Sequence, residues 1–421
     1  MTVRLAPSPP GAFDVLSGLD PSLPRIAESF DLAAVRRLFE RAWHRPITRC
    51  AMLSACYTPG VRCVTTYELE LGSVNGRQAR TIGLVEQTPG GRSHRRYDED
   101  PALPGLAAAS DPTIVATRLT SCCASPIEHC AVTPVRYRPG ERAVLRYQLT
   151  TSAGPVVLYG KVLAAGAGPL TAVLTGLHEA GQADPEAPSV APPIAPIADL
   201  GLVVQPEVAD DSFHELAFTS ALTSADRVAR FRRVGRAIAA LHGGNGPPAP
   251  TRTPADDVLE LRAYLPAASR ADPALATRMA DGVERACKLS FAADTDVVPS
   301  HGSLRTDQVY LSAARVTLID LDGYCWSQRA RDIGNLFAYL RWRAIRQPEH
   351  RALVAEGRRA FRAAYRRTGD MPADDVIRAA EAISLLKIAG RRFRNLSVRE
   401  WPRVPALVDA ALELLPKGGA A

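Results

Sequence analysis

The chain has 421 residues and a mass of 45.2 kDa, and its composition of 46% hydrophobic and 23% charged residues excludes a largely disordered protein. Its length allows two to four domains, or two lobes around one cleft. The net charge is +7, from 51 basic and 44 acidic residues, but the arginines are spread along the chain without a recognition motif, so nucleic acid is not expected as the main partner.

The chain contains no stretch of about 18 apolar residues, so the sequence predicts no transmembrane helix and no membrane partner. Residues 1–24 lack the basic patch and apolar run of a signal peptide, and we therefore expect a cytoplasmic protein. The eight cysteines form no Cys-x-x-Cys pair, which favours reduced, buried thiols over a disulfide framework. A zinc site from His44, Cys50, Cys56 and Cys63 is an alternative, although their spacing is not typical of zinc.

The first predicted element is a helix over residues 31–43, in which apolar residues recur at helical spacing and Asp31 is a candidate N-cap. An internal repeat with an offset of 80 residues follows: 57–69 reads YTPGVRCVTTYEL and 137–149 reads YRPGERAVLRYQL. In each copy Pro-Gly supplies a turn and the next residues alternate as in a strand. The repeat predicts related β-hairpin units at 45–90 and 125–165 that form or extend one N-terminal sheet, with a coincidental match as the alternative.

Residues 87–112, between the copies, are rich in Gly, Arg, Ser, Asp and Pro and are typical of a linker. After the second copy the sequence predicts a helix over 170–179, a proline-rich connector over 183–197 and an apolar strand over 202–208. From residue 224 the pattern is mostly helical, with short strands between 297 and 320. This order favours an α+β fold of two lobes, β-rich and then helical, with the chain divided as 1–112, 113–210 and 211–421.

Three polar segments in the last third of the chain carry the candidate chemistry. Residues 301–309 read HGSLRTDQV, residues 318–323 read LIDLDG, and residues 331–336 read RDIGNL. The first two loops bracket a short predicted hairpin, and Asp320 lies where a strand ends. Such a hairpin can bring a hydroxyl or an amide close to a carboxylate, as metal-bound phosphate chemistry requires.

These segments resemble the aminoglycoside phosphotransferase and choline kinase group, small-molecule kinases of protein-kinase-like fold whose loop reads HGDLHPGNVL. The resemblance covers roughly residues 130–345 and implies ATP or GTP and Mg²⁺ as cofactors and a small-molecule acceptor. Lys161 matches the family's phosphate-binding lysine, and residues 202–208 match its hinge over the adenine, which places Val204 and Gln205 at the nucleotide. Asp320 matches the metal-binding aspartate, and Asp332 matches the aspartate that supports the catalytic loop.

Three positions depart from this family pattern. Ser303 stands where the family has its catalytic aspartate, Gln308 where it has a metal-binding asparagine, and no glutamate faces Lys161 from the 170–179 helix. A serine hydroxyl cannot act as a carboxylate base near neutral pH, although phosphoryl transfer depends mainly on positioning and electrostatics. We therefore expect Ser303, Asp307 and Asp320 as catalytic residues, Asp307 or Asp322 as a substitute base, and Asp320 and Gln308 at the metal.

The leading hypothesis is an ATP-dependent phosphotransferase that acts on a hydroxyl of a small molecule. The alternatives are a pseudokinase, which binds a nucleotide or a partner without turnover, and a kinase fold with another reaction on ATP, such as nucleotidyl transfer. The first repeat copy has Leu84 or Val85 at the place of Lys161, which predicts no second active site. The arginines at 391, 392 and 394 are typical of a solvated helix face, with a site for an anionic acceptor as the alternative.

Overall fold

A computed structural model describes residues 12–74, 77–123, 125–219, 222–288 and 296–416. The first β-rich unit contains the helices α1 (Ala12–Leu16) and α2 (Leu32–Trp43) and the strands β1 (Ile47–Thr58), β2 (Arg62–Val74), β3 (Arg77–Thr88) and β4 (Gly91–Arg96). The strands form an antiparallel sheet in the order β1-β2-β3-β4. Asp31 begins α2, because its side chain accepts hydrogen bonds from the amides of Ala33 and Ala34, and Val35 and Phe39 then pack against the sheet.

The second β-rich unit has three helices: α3 (Leu106–Ser110), α4 (Pro112–Leu119) and α5 (Gly168–Ala183). Its strands are β5 (Ile127–Arg138), β6 (Arg142–Thr151), β7 (Gly154–Leu163), β8 (Ser189–Val190), β9 (Ala195–Ile197) and β10 (Leu202–Pro206). Five of them form a sheet in the order β5-β6-β7-β10-β9. The predicted sheet shared by both repeat copies is therefore wrong, since each copy builds its own sheet.

The two units share internal contacts at the same 80-residue offset. Asp20 accepts hydrogen bonds from the Tyr57 hydroxyl at 2.8 Å and the Gly60 amide at 2.7 Å. In the second unit Asp100 accepts from the hydroxyl of Tyr137 at 2.6 Å and from the Gly140 amide at 2.7 Å. Each buried aspartate thus holds the turn of the following hairpin.

The repeat is longer than the two hairpins predicted from the sequence, because the aspartates at 20 and 100 belong to it. The interpretation of residues 87–112 as a linker is wrong: β3 continues to Thr88, β4 follows, and α3 ends at Ser110. Polar side chains on an exposed edge strand gave this segment the composition of a loop. The second copy thus includes the segment around Asp100.

The strand registers also identify the counterpart of Lys161. Val144 pairs with Lys161 across β6 and β7, and Val64, its counterpart in the first unit, pairs with Glu86 across β2 and β3. Glu86, rather than Leu84 or Val85, therefore stands at the place of the lysine. Its carboxylate lies 3.5 Å from the guanidinium of Arg62, so the first unit has an ion pair within its own sheet.

The C-terminal region is mainly helical. Its helices are α6 (Phe213–Phe218), α7 (Ser224–Gly243), α8 (Pro254–Arg262), α9 (Leu265–Ala271), α10 (Pro273–Cys287), α11 (Arg329–Arg346), α12 (Arg351–Thr368), α13 (Asp374–Arg394) and α14 (Val404–Leu414). Its strands are β11 (Asp211–Ser212), β12 (Thr251–Arg252), β13 (Val297–Ser300), β14 (Val309–Leu311), β15 (Val316–Leu318) and β16 (Cys325–Gln328). They form two small sheets, β11-β14-β15-β8 and β12-β16-β13, which carry the polar loops.

A hydrophobic core joins the first unit to the C-terminal helices. Ile26 and Tyr57 of the first unit are almost fully buried in one cluster with Tyr264, beside α9, and with Phe393 of α13. A separate core lies beneath α5, α7, α11 and α12. The first unit therefore packs against α9 and α13, in a cluster that α11 joins through Ala338 and Trp342.

Candidate active site

Asp332, near the start of α11, fixes the backbone of the first polar loop. Its carboxylate is fully buried and accepts hydrogen bonds from the amides of His301, at 2.7 Å, and Gly302, at 2.9 Å. His242 lies 3.3 Å from the same carboxylate through Nε2. Burial alone would raise the pKa of Asp332, but these donors and the histidine hold it below its usual range, so the carboxylate stays charged at neutral pH.

Gly302 allows this loop to turn close to the second one. Its φ is +78°, and a Cβ at this position would collide with the carbonyl oxygen of Gly323. Ser303 follows directly and is half-buried against Gly323, where an added Cβ would lie 3.4 Å from the Ser303 hydroxyl. The two polar loops are therefore in contact at Ser303.

Two cations from the second β-rich unit face two carboxylates of the C-terminal region. Lys161 Nζ lies 2.5 Å from Asp322 Oδ1 and 3.3 Å from Asp320 Oδ1. Arg142 lies 2.6 Å from Asp322 Oδ2 and 3.8 Å from Asp320 Oδ1. Lys161 and Arg142 belong to neighbouring strands, so both side chains reach the same place. These four side chains bridge the cleft between the sheet and the helical region.

Asp320 has an unusual backbone conformation and a carboxylate that stays ionised. Its φ is +61°, a left-handed conformation that aspartate tolerates better than most residues. Burial acts to raise its pKa, but the charges of Lys161, Arg142 and Arg305 outweigh that effect and hold the pKa well below its usual range. Asp320 is therefore ionised throughout the neutral pH range.

Gln308 places an amide beside Asp320. Its Nε2 donates to Asp320 Oδ2 at 3.2 Å, and its Oε1 is buried without a hydrogen-bond partner among the described residues. A carboxylate next to an unpaired amide oxygen is a suitable ligand pair for a hard divalent cation such as Mg²⁺. Within the described ranges no three His, Cys, Asp or Glu side chains could hold a metal by themselves, so Mg²⁺ would also need phosphate and water ligands.

The other predicted site residues lie outside this cluster. Asp307 is exposed, and Arg305 donates to its two carboxylate oxygens at 2.9 and 3.3 Å. Val204 is buried in β10, and its carbonyl accepts from the Ile194 amide at 2.8 Å. Gln205 Nε2 donates to the carbonyl of Ala191 at 2.6 Å. The structure thus gathers Lys161, Asp320 and Gln308, while the side chains of Asp307 and Gln205 have local partners.

Arg142 is the residue that sequence reasoning missed. The signal was present, because Arg142 and Arg62 occupy the same position in the two repeat copies. The arginine begins the strand after each Pro-Gly turn, but only the second one reaches Asp322. Asp322, the partner of Arg142, lies in the C-terminal region. Which carboxylate Arg142 meets therefore depends on how the two lobes pack, and a local sequence pattern does not predict that.

The cysteines and the helix lengths bear on the expected disulfides and membrane spans. All eight cysteines are free thiols in the structure; Cys63, Cys130 and Cys325 are buried, whereas Cys287 is exposed. No helix within the described parts of the chain is both long and apolar enough to cross a membrane.

Comparisons with known proteins agree with this architecture. A model of the phosphotransferase enzyme family matches residues 136–371. A spectinomycin phosphotransferase solved with ADP and spectinomycin is 13% identical, with a TM-score of 0.50 over 72% of this chain and 98% of that chain. An amicoumacin kinase solved with AMP-PNP and Ca²⁺ is 16% identical, with a TM-score of 0.51 over 74% of this chain and 95% of that chain. A search of curated protein sequences finds no match.

The solved structures show the fold of the chain. Both are phosphotransferases of protein-kinase-like architecture, and the alignments cover nearly their whole length. The predicted α+β fold with a β-rich lobe and a mainly helical lobe is confirmed. The first β-rich unit lies outside the residues matched by the family model.

Proposed function

Because the chain belongs to the phosphotransferase enzyme family, we propose that it transfers the γ-phosphoryl group of ATP or GTP to a hydroxyl of a small molecule. The observation that carries this proposal is the meeting of Lys161 and Arg142 with Asp320 across the cleft, next to the unpaired amide oxygen of Gln308. Cations for phosphate oxygens and oxygen ligands for a metal are the two requirements of phosphoryl transfer.

Lys161 and Arg142 bind the phosphates in this mechanism. Both exchange a carboxylate partner for phosphate oxygens, and the guanidinium of Arg142 can form two parallel hydrogen bonds. Asp320 and Gln308 would hold Mg²⁺, which when bound neutralises charge on the phosphate groups. Val204 and Gln205 belong to the segment that lies beside the adenine in this proposal.

Ser303 orients the acceptor hydroxyl but does not deprotonate it. A neutral hydroxyl offers a hydrogen bond only, and a general base typically contributes about 10²–10⁴ in rate. Asp307 is the nearest carboxylate on the same loop, although Arg305 already holds it. The proposal therefore predicts slow turnover carried by positioning and charge.

A pseudokinase is the second candidate function. Ser303 in place of the aspartate favours it, and so does the pairing of Lys161 with Asp320 and Asp322 instead of a glutamate on α5. In that case the cleft binds a nucleotide and no phosphoryl group leaves it. Nucleotidyl transfer differs from both in the mass of the product.

The test combines nucleotide binding with turnover. Lys161→Ala should weaken AMP-PNP binding by calorimetry at least tenfold, about 1.4 kcal/mol. The control is Lys288→Ala, at an exposed lysine that directly follows α10. Asp320→Asn keeps the shape of the side chain and should abolish Mg²⁺-dependent ADP release.

The outcomes separate the candidates. ADP release that needs Mg²⁺ and Asp320, with a product heavier by one phosphoryl group, supports the phosphotransferase. Nucleotide binding without release of ADP over a broad panel of hydroxyl compounds indicates the pseudokinase. Equal AMP-PNP affinity of wild type and Lys161→Ala would remove the kinase-like site altogether.

A further inference from the structure

A second group of cations lies beyond the phosphate-facing pair, on the side of Ser303. We call Arg305, Tyr339, Arg391 and Arg392 the arginine pocket. Arg305 is two residues after Ser303, and its guanidinium lies over the ring of Tyr339, 5.4 Å from the ring centre. Arg391 and Arg392 are in the last turn of α13, and both act on Tyr339 electrostatically.

Tyr339 reports the charge of this pocket. The residue is half-buried on α11, and its hydroxyl makes no hydrogen bond to any described residue. Burial acts to raise the pKa of a phenol, yet the three arginines around Tyr339 lower it below the ordinary value. The three arginines therefore make the surroundings of the hydroxyl positive, although Asp307 acts on it in the opposite direction.

Arg392 is the cation with the fewest partners in the pocket. Its guanidinium forms no ion pair and no hydrogen bond with the described residues, and its Nε is buried without a partner. It lies 5.7 Å from the centre of the Trp342 ring, which fixes its plane. Glu400 acts on this guanidinium electrostatically but forms its ion pair with Arg346, at 3.6 Å. A half-buried guanidinium that has no direct ion pair is a suitable ligand for an oxyanion.

The neighbouring carboxylates do not neutralise this region. Glu260 accepts from Arg391, Lys387 and Arg252, at 2.6 to 2.8 Å. Asp257 is shared by Lys387, Arg252 and Arg331. Four cations, Arg252, Arg331, Lys387 and Arg391, therefore surround these two carboxylates, and neither carboxylate is available to pair with Arg392.

The opposite lobe adds a further positive charge. Arg136 on β5 is exposed and forms no hydrogen bond or ion pair with the described part of the chain. It interacts electrostatically with Asp320, Arg142, Arg305 and Asp307, so it faces the same cleft from above. The route from the phosphate-binding side to the arginine pocket is thus lined by cations of both lobes.

We propose that the acceptor carries a phosphate or carboxylate group, which binds between Arg391, Arg392 and Tyr339 while the acceptor hydroxyl lies at Ser303. This inference rests on the proposed function and adds the chemical class of the acceptor. Guanidinium groups and a phenol hydroxyl donate to oxyanions in fixed geometry. A cationic acceptor would instead meet a net positive charge, because the two carboxylates beside the pocket, Asp307 and Glu400, already lie against Arg305 and Arg346.

The test compares acceptors that share a carbon skeleton and differ in charge. Glucose 6-phosphate, gluconate, glucose and glucosamine are offered in a Mg²⁺-dependent ADP-release assay. Binding of inorganic phosphate and of gluconate is measured by calorimetry with Mg²⁺ and AMP-PNP at saturation, so that Lys161 and Arg142 are already occupied. The variants are Arg392→Gln and, as matched control, Arg378→Gln, at an exposed arginine on the same helix.

We expect at least one anion to bind wild type and Arg378→Gln equally, and Arg392→Gln at least tenfold more weakly. The turnover of an anionic acceptor should show the same change in KM with little change in kcat. A preference for phosphate over gluconate identifies a phosphorylated acceptor, and the reverse identifies a carboxylate. Equal anion binding by Arg392→Gln and wild type, absence of anion binding, or preferential use of glucosamine would overturn the inference.

The design separates this inference from the proposed function. If AMP-PNP does not bind, the titration is repeated on Lys161→Ala with and without Arg392→Gln. If Arg392→Gln then binds the anion at least tenfold more weakly, the anion site exists although the protein transfers no phosphoryl group. In that case only the phosphotransferase proposal fails. If Arg392→Gln releases ADP as fast as wild type, and neutral or cationic acceptors react faster than anionic ones, the proposed phosphotransferase function stands. The inference of an anionic acceptor then fails.

Discussion

Ser303 tests whether the altered loop has merely lost a base. Ser303→Asp places a carboxylate beside Gly323, in a site that already holds Lys161 and Arg142. Since a positioned base is worth about 10²–10⁴ in rate, we expect Mg²⁺-dependent ADP release to rise at least tenfold. Ser303→Asn has the same size without the charge and should leave the rate near that of wild type. A fall in nucleotide affinity without a gain in rate would mean that the loop serves another task.

His214 gives the polar loop a dependence on pH. Its Nε2 accepts from Arg343 at 3.2 Å, so the neutral ring carries its proton on Nδ1 and donates to the Thr306 hydroxyl at 2.7 Å. Burial, and then the charge of Arg343, lower the pKa of His214 below its usual range. The folded state therefore prefers the neutral ring, and this contribution to stability is complete above about pH 6.5 and is lost as the pH falls below it.

We expect the free energy of unfolding of wild type to fall more steeply from pH 7 to pH 5 than that of His214→Gln. Denaturant titrations at several pH values provide the measurement. His129→Gln, at an exposed histidine on β5, is the control and should follow wild type. Parallel curves for wild type and His214→Gln would show that the Arg343–His214–Thr306 contact does not link pH to stability.

At the scale of elements, the two repeat units provide an internal comparison. Asp20→Ala and Asp100→Ala each leave a tyrosine hydroxyl and a glycine amide without their buried acceptor. We expect each change to lower the free energy of unfolding by about 2 kcal/mol. Only Asp100→Ala should also weaken AMP-PNP binding, because its hairpin carries Arg142. Equal loss of nucleotide affinity in both variants would contradict separate roles for the two hairpins.

Much of this element-level structure can be predicted from local pattern. The helix that begins after Asp31, the strands after each Pro-Gly turn and the hairpin between residues 309 and 318 follow from capping, turn chemistry and alternation. Register cannot be predicted this way. Val64 is 22 residues from its partner Glu86, whereas Val144 is 17 residues from its partner Lys161. Because the β2–β3 hairpin is longer than the β6–β7 hairpin, the counterpart of Lys161 cannot be found by applying the 80-residue offset.

The candidate site was predictable in part for a related reason. Asp320 and Gln308 lie on two loops that one short hairpin joins, so sequence proximity brings them together. The contacts of Lys161 and Arg142 with Asp322 join residues more than 150 positions apart, and depend on how the lobes pack. The arginine pocket combines two helices and a loop, and its net charge depends on which carboxylates are already paired.

For the whole molecule, the shared core predicts that the first unit does not unfold independently. Ile26 is 1% exposed within the cluster that includes Phe393 of α13. Ile26→Ala should lower the free energy of unfolding by about 2–5 kcal/mol. Trp43 reports on the first unit and Trp401 on the C-terminal region. Two variants, each with one of these as the single tryptophan of the chain's four, can therefore follow the two regions separately.

The two fluorescence transitions should coincide and should shift together in Ile26→Ala. Val15→Ala changes an exposed apolar side chain of α1 and should leave both midpoints in place. A shift seen by Trp43 alone would show that the first unit is a separate folding domain.

The charge reversal between Glu86 and Lys161 has a consequence for how the chain folds. Related units in tandem can exchange strands before their cores are complete. If β7 paired with β2 in the native register, Lys161 would lie where Glu86 now meets Arg62, and two like charges would replace an ion pair. This repulsion disfavours the pairing of β7, the third strand of the second unit, with β2 of the first unit. β7 therefore remains free to pair with β6 and to bring Lys161 to Asp320.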